Sequence, residues 1–402
     1  MIYKITDYNG DLQALFNQIE INDDQWPVIH LEGQRVNVAN CHLPTPKANR
    51  QARVIGSMAI IDVLQNHDGI VPHPSVRGLS VSLGVTGGSI VNTIERWDWD
   101  GLVFTGGRNQ LQLVAQYGSR ITNCQFLHGK RGIHAIFCLQ PVIESCKFQF
   151  QDVEGVCLRT GVSDLTLLTE WGVGDEDDNI WFSNPTTTNS QSNRAVINHC
   201  RFFGKNAQKC FVRVQGSDGV VINNPVFEGG APDYCVYADS RNSNTVRDIE
   251  INRPHVEISH NNAVSIFYFR AFQKAIVRSM YSQVAHTTHI TEEDCGQIYM
   301  DNLNFMRWDS DTFNGGDKCE WYFHNPQAGY VNFAASKIWA NGLPDYLRVD
   351  NAQGVFNLGK KGGKFVARIG SDETSLRIAK NIVDVRGVKT AFIPADANII
   401  EK

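Results

Sequence analysis

The sequence has few of the features that would place it in or across a membrane. No window approaches the run of about 18 consecutive apolar residues that a membrane-spanning helix needs. The opening "MIYKITDYNG" lacks the basic segment and apolar run of a signal peptide. Basic residues are not in excess, with 37 Lys and Arg against 42 Asp and Glu. We therefore expect no membrane partner and no nucleic-acid partner, because broad nucleic-acid binding needs a concentrated basic surface.

Several enzyme motifs are missing as well. The chain contains no P-loop, no dinucleotide-binding fingerprint, no GxSxG and no HExxH, so nucleotide, lipase and zinc-protease chemistry have no support. Its ten cysteines are spread over 402 residues without tight CxxC spacing. This distribution favours reduced thiols in a core over a disulfide framework.

What the chain does contain is a repeat. The segment "VINHCRF" at residues 196–202 is matched by "RITNCQF", "VIESCKF", "VINNPVF", "EINRPHV" and "YMDNLNF". The central positions of these segments are Cys124, Cys146, Cys200, Pro225, Pro254 and Leu303. Spacings of 22, 25 and 29 residues predict a solenoid of short strands. The spacing of 49 residues is close to two units, whereas that of 54 is two units or one unit with an insertion.

One amphipathic helix is expected ahead of the strands. In "GDLQALFNQIE" the apolar residues Leu12, Leu15, Phe16 and Ile19 recur at helical spacing, and Asp11 is a suitable N-cap. An open solenoid end exposes apolar side chains and unpaired strand edges, which a single helix can cover. The helix is therefore interpreted as a cap.

The helix and the segments after it resemble a known family. Together with "PVIHLEGQRVNVA", "CHLPTP" and "ARVIGSMAIIDV", the helix resembles the entry module of phage tailspikes and related polysaccharide-modifying proteins. Residues 9–310 resemble right-handed parallel β-helices of the pectate-lyase-like superfamily. The resemblance implies an all-β solenoid with a cap over residues 1–50 and a β-helix over 51–310. Residues 311–402 would form a C-terminal β region for trimerisation or carbohydrate binding.

The same resemblance assigns a direction to each position of the repeat. The Ile and Phe of each segment would point inward, together with the central Cys or Pro. The residue before the central position would occupy a tight bend, which gives the column Asn123, Ser145, His199, Asn224 and Arg253. The pair His199–Cys200 then marks the register of the coil, and Cys200 is read as a core residue rather than a reactive or metal-binding thiol.

The function implied is that of a phage tailspike or tail-fibre-like protein. Such a protein would be a homotrimer in the virion, attached through another tail protein. It would bind and depolymerise a bacterial surface polysaccharide, a capsule or an O-antigen, by hydrolysis or lyase chemistry. Two alternatives stay open: a non-viral β-helix enzyme such as a lyase, epimerase or glycan-rearranging enzyme, and a receptor-binding virion protein without catalysis.

Carboxylates beside aromatic residues are the candidate site residues. Hydrolysis of a glycoside needs two carboxyl groups, and a lyase needs a base beside the acidic proton. In "ERWDWDG" Trp97 and Trp99 share a strand face with Glu95, where they would stack on sugar or, alternatively, lie buried at a coil boundary. The insertion at residues 169–193 is acidic and flanked by Trp, although a solvated loop would have the same composition.

The candidate catalytic residues are Asp152, Glu154, Glu170, Asp175 and Asp177. The candidate substrate-binding residues are Trp97, Trp99, Trp171, Trp181, Tyr234 and Tyr237. No cofactor or metal is predicted, although the acidic run at residues 175–178 has the hard oxygen ligands that Ca²⁺ prefers.

Overall fold

The computed structural model describes residues 1–47, 49–74, 95–159, 193–240, 247–259, 265–284 and 288–302, and beyond them residue 319 and the strands named below. Within these residues no helix is long and apolar enough to span a membrane. The N-terminal part contains a 3-10 turn, Ile5–Tyr8, and the helix α1, Leu12–Ile21. Asp11 caps α1, since its carboxylate accepts a hydrogen bond from the Ala14 amide at 2.9 Å.

The cap helix is confirmed in position and orientation. All four apolar residues of its predicted stripe are buried, and the ring of Phe16 meets the edge of Trp97 with centroids 5.7 Å apart. The helix therefore covers the first coils of the solenoid with its apolar side, as an exposed solenoid end requires.

Short parallel strands make up the solenoid. In the described part of the chain, 22 of them form one sheet: β1 Ile2–Lys4, β2 Val28–His30, β3 Arg35–Val38, β5 Gln51–Val63, β7 Arg96–Gly106, β9 Arg120–Thr122, β10 Gln125–Leu127, β12 Val142–Glu144, β13 Lys147–Gln149, β15 Val196–Asn198, β16 Arg201–Phe203, β18 Val220–Asn223, β19 Val226–Glu228, β21 Asp248–Asn252, β22 His255–Glu257, β24 Lys274–Arg278, β25 Tyr281–Ser282, β27 Gln297–Asp301, β28 Asn304–Phe305, β30 Glu320–His324, β32 Lys337–Asn341 and β34 Phe356–Leu358.

A second parallel sheet takes one strand from each coil. Its ten strands are β4 Cys41–His42, β6 Ile70–Val71, β8 Asn109–Val114, β11 Arg131–Ile136, β14 Glu154–Arg159, β17 Cys210–Gln215, β20 Tyr234–Asp239, β23 Ser265–Arg270, β26 Thr288–Glu293 and β29 Thr312–Asn314. Each of these strands pairs with its counterpart one coil later, so equivalent residues of successive coils form straight columns.

The core is built from these columns. The rings of Phe104, Phe126, Phe148 and Phe202 stack with centroids 4.9–5.0 Å apart and nearly parallel planes. The thiols of Cys124, Cys146 and Cys200 are buried beside them. Burial raises the pKa of Cys124 and Cys146 well above that of an exposed thiol. The prediction that Cys124, Cys146 and Cys200 are core residues is therefore confirmed.

The bend column is confirmed by its backbone angles. Asn123, Ser145, His199, Asn224 and Arg253 all have φ between 49° and 54°, in the left-handed region. Asn tolerates this region better than most residues because its short polar side chain can bond locally. The Asn224 amide also lies 3.2 Å from the His199 imidazole, one coil away. His199 is thus a turn residue, as the repeat predicts.

Strand pairing resolves the two long gaps in the repeat. Lys147 pairs with Arg201, so Cys146 and Cys200 lie in neighbouring coils and the gap of 54 residues is one unit with an insertion. β22, β25 and β28 follow one another in register, which confirms two units across the gap of 49 residues.

The C-terminal region differs from the expectation in one respect. Parallel pairing continues from β27 through β30 and β32 to β34, so the ladder extends past residue 310. A separate five-stranded sheet, whose first two strands alternate along the chain with β32 and β34, contains two antiparallel pairings. Its strands are β31 Tyr330–Asn332, β33 Tyr346–Asp350, β35 Leu376–Ala379, β36 Ile382–Val385 and β37 Asn398–Ile400.

Candidate functional site

The outward face of the ten-stranded sheet carries an unusual row of polar side chains. Along β14, Val156 and Leu158 point into the core, while Cys157 and Arg159 alternate with them and point outward. Outward side chains of a solenoid are normally exposed, but those of this face are nearly all buried. Burying charged groups costs free energy, which indicates a functional role for this face.

An ion-paired network lies at the centre of this face. Glu154 is fully buried, and its carboxylate is held by two arginines from neighbouring strands. Arg131 Nε lies 2.5 Å from one oxygen, and Arg213 Nη1 lies 3.1 Å from the other. Arg213 Nη2 also donates to the Gln215 side chain at 3.2 Å. The carboxylate therefore fixes the orientation of both guanidinium groups.

Three tyrosines adjoin this network. Tyr237 is the register partner of Arg213, and its ring stacks on that of Tyr268 with centroids 4.7 Å apart. The half-buried ring of Tyr234 packs against both. Burial raises the pKa of Tyr268, and its hydrogen bond with Glu293 adds to the effect. The Tyr268 hydroxyl therefore keeps its proton at neutral pH and is engaged with Glu293.

The structure brings three of the predicted site residues together on this face. Glu154, Tyr234 and Tyr237 belong to it, whereas Asp152 lies in the preceding turn and forms an exposed ion pair with Lys205. The sequence analysis missed Arg131, Arg213 and Tyr268. The signal that could have found them is the alignment of five six-residue strings, "RGIHAI", "EGVCLR", "CFVRVQ", "YCVYAD" and "SIFYFR". It places Arg131 in the column of Glu154 and Tyr234, and it places Arg213 and Tyr268 in the column of Tyr237.

The prediction that Trp97 and Trp99 stack on sugar is wrong. Both indoles are fully buried and stack on each other with centroids 5.8 Å apart, so no sugar can reach them. The alternative, burial at a coil boundary, is confirmed for these two residues. Glu95 is buried with them, where it accepts a hydrogen bond from Trp97 Nε1 at 2.8 Å and lies 3.3 Å from Arg50 Nη1. Burial raises the pKa of Glu95 to about 7.

The remaining candidates belong to the insertion and lie outside the described residues. They are Glu170, Trp171, Asp175, Asp177 and Trp181, together with the acidic run proposed for Ca²⁺. Their predicted roles stay predictions.

Comparison with known proteins bears on the fold. No protein-family model and no curated protein matches the chain. Among solved structures, an alginate lyase from Paenibacillus sp. is similar, with a TM-score of 0.52 and 12% identity over 76% of this chain and 96% of that one. The fold is a parallel β-helix. At this level of identity the similarity extends to the fold and no further.

Two other solved structures are less similar to this β-helix. The surface adhesin PfbA of Streptococcus pneumoniae has a TM-score of 0.49 and 11% identity over 99% of both chains. The A-module of a mannuronan C-5 epimerase from Azotobacter vinelandii has a TM-score of 0.43 and 9% identity over 92% of this chain and 100% of that one.

The polar face combines two kinds of recognition chemistry. Guanidinium groups bind carboxylates through paired N–H donors, and tyrosines provide both a flat apolar ring and a hydroxyl. Arg131 and Arg213 supply the first kind, and the tyrosine group supplies the second. A glycan that carries carboxylate groups has the complementary chemistry.

Proposed function

We propose that this β-helix protein binds an acidic polysaccharide at the outward face of its ten-stranded sheet and cleaves it by β-elimination. The observation that carries the proposal is the meeting of Arg131 and Arg213 on Glu154, directly beside the stacked rings of Tyr237 and Tyr268. The similar structure of an alginate lyase supports a polysaccharide as the substrate class. This proposal corresponds to the alternative of a non-viral β-helix enzyme.

The chemistry assigns a role to each type of side chain. A base removes the proton beside the uronate carboxylate, and His134, the register partner of Cys157 on the adjacent strand β14, is the candidate for this role. The arginines stabilise the negative charge that develops on the carboxylate. The C4–O bond then breaks with its electron pair, the leaving oxygen takes a proton from a tyrosine hydroxyl, and a C4=C5 double bond remains. Tyr237, the register partner of Arg213, is the tyrosine assigned this role.

The site is buried in this structure, so the mechanism requires the substrate to gain access to it. Arg131, Glu154 and Arg213 are almost fully buried, so a glycan reaches them only if this face opens. The edge of the face is more accessible, since Tyr234 is half-buried and the ion pair of Lys209 with Asp233 lies at the surface. We therefore expect substrate binding to be coupled to a conformational change.

The test measures unsaturated sugar as it forms. The purified protein is incubated with a panel of acidic polysaccharides, and the ultraviolet absorbance of the new double bond is followed. Arg213→Gln and Tyr237→Phe are each expected to lower kcat/KM by about 100-fold, because each removes a group that stabilises the transition state. Arg201→Gln, at an exposed position of β16, is the matched control and should retain full activity.

Two results decide this test. If the protein produces no unsaturated sugar from any acidic polymer, the elimination mechanism is excluded. Equal activity of Arg213→Gln and Arg201→Gln, with both variants folded by circular dichroism, excludes the proposed location of the site.

A phage tailspike is the second proposal. It is supported by the cap helix α1 and the strands after it, which follow the order of the entry module that the sequence resembles. In this proposal the chain forms a homotrimer in the virion, attached through another tail protein, and its glycan is a bacterial capsule or O-antigen. Light scattering should then give the molar mass of a stable trimer, three times the 45.0 kDa of one chain. A monomer at micromolar concentration would contradict it.

A further inference from the structure

A second cluster of chemical groups lies on the other sheet, away from the arginine and tyrosine face. Glu228 ends β19 and Glu257 ends β22, and the two residues are direct register partners on adjacent parallel strands. His255 begins β22, two residues before Glu257, so both side chains project from the same side of the strand. The three side chains are half-buried at the outer surface of the β-helix.

The donor atoms of this cluster are close enough to share one ion. One carboxylate oxygen of each glutamate and one imidazole nitrogen all lie within 4.8 Å of one another. His255 Nε2 lies 2.9 Å from Glu257 Oε1. Two ligands held at about 2.1 Å from a metal and at right angles are separated by roughly 3 Å. The observed separation is therefore suitable for two ligands of the same cation.

The next coil holds two of these ligands in place. Gln283 Nε2 donates to Glu257 Oε1 at 2.6 Å, and the ring of Tyr281 stacks on His255 with centroids 5.0 Å apart and planes 22° apart. Residues that orient the ligands of a metal from behind are a regular part of metal sites. The ligands thus start from fixed positions on a rigid sheet.

The charges of the cluster also favour a cation. Like charges directly opposite each other on neighbouring strands destabilise a sheet. Within the described residues, neither Glu228 nor Glu257 forms an ion pair with a lysine or arginine, although other carboxylates of the same sheet do, such as Glu250 with Arg278. A bound cation would offset the repulsion between the two carboxylates.

We propose that Glu228, His255 and Glu257 bind one divalent transition-metal ion of the Zn²⁺ or Mn²⁺ type. An imidazole among the ligands favours these ions over Ca²⁺ and Mg²⁺, which take oxygen ligands. Three protein ligands leave coordination positions open for water or for a hydroxyl group of a bound glycan. The site belongs to a different sheet from the proposed catalytic face, so it does not depend on the proposed function.

The experiment titrates the chelator-treated full chain with ZnCl₂ and with MnCl₂ in a calorimeter. The expected result is saturable binding of one ion per chain for at least one of the two metals. Glu228→Gln and His255→Gln should each weaken this binding by at least about 10-fold. Glu144→Gln, a half-buried glutamate at the end of β12 in the same sheet, is the matched control and should bind as the wild type does.

A second measurement protects the conclusion against variants that fold poorly. The bound metal should raise the melting temperature of the wild-type chain and of Glu144→Gln, but not that of His255→Gln. Absence of saturable binding in the wild type overturns the proposal. So does binding that Glu228→Gln and His255→Gln leave unchanged, because the ion would then be held elsewhere.

Discussion

Replacement of Glu154 by alanine is expected to lower the free energy of unfolding by about 3–5 kcal/mol. The carboxylate is fully buried and accepts from both Arg131 and Arg213, which are buried as well. Its removal leaves two buried guanidinium groups without the negative charge with which both are paired. The loss is measured as the shift in a urea unfolding curve.

The matched control for this variant is Glu144→Ala. Glu144 is half-buried at the end of β12 and forms no ion pair within the part of the chain that the structure describes. Its replacement should change the free energy of unfolding by no more than about 0.5 kcal/mol. Equal losses for the two variants would show that the buried network contributes nothing specific.

A triple variant separates the charge effect from the loss of packing. Exchange of Glu154, Arg131 and Arg213 for apolar residues of similar size should recover much of the stability that Glu154→Ala loses, because no buried charge then lacks a partner. The same variant should have no activity if the arginines bind the glycan. A stable but inactive triple variant would indicate that the network is retained for binding rather than for folding.

The repeat made most of the solenoid predictable from the sequence. Cys124, Cys146 and Cys200 mark equivalent positions, and the bend residue before each one identifies the turn. These positions are constrained locally, by inward packing and by a left-handed backbone angle. A pattern of seven residues is enough to reveal them.

The candidate site was less predictable for a physical reason. Arg131, Glu154 and Arg213 meet only through the register of three strands, and 59 residues separate Glu154 from Arg213 in the sequence. Trp97 and Trp99 misled the interpretation because they share a face with the charged Glu95, which usually indicates solvent. Here the Glu95 carboxylate is buried because Arg50 and the Trp97 indole both donate hydrogen bonds to it. The sequence pattern alone does not distinguish a buried ion pair from an exposed one.

Glu95 should make the stability of the protein depend on pH in an unusual direction. Burial raises its pKa to about 7 in the folded chain, whereas the ordinary value in the unfolded chain is 4.5. A group whose pKa is raised by folding contributes its full stability below pH 4.5 and loses it as the pH rises through 7. A difference of about 2.5 pH units corresponds to about 3 kcal/mol.

The variant Glu95→Gln isolates this contribution, because it cannot ionise and keeps the size of the side chain. Unfolding free energies of both proteins are measured by urea titration between pH 4 and pH 8, and their difference cancels the other carboxylates. Relative to the variant, the wild type should lose about 3 kcal/mol over that range. A constant difference would mean that folding does not shift the pKa of Glu95. A difference of opposite slope would mean that Arg50 and Trp97 outweigh burial and hold the carboxylate ionised in the folded β-helix.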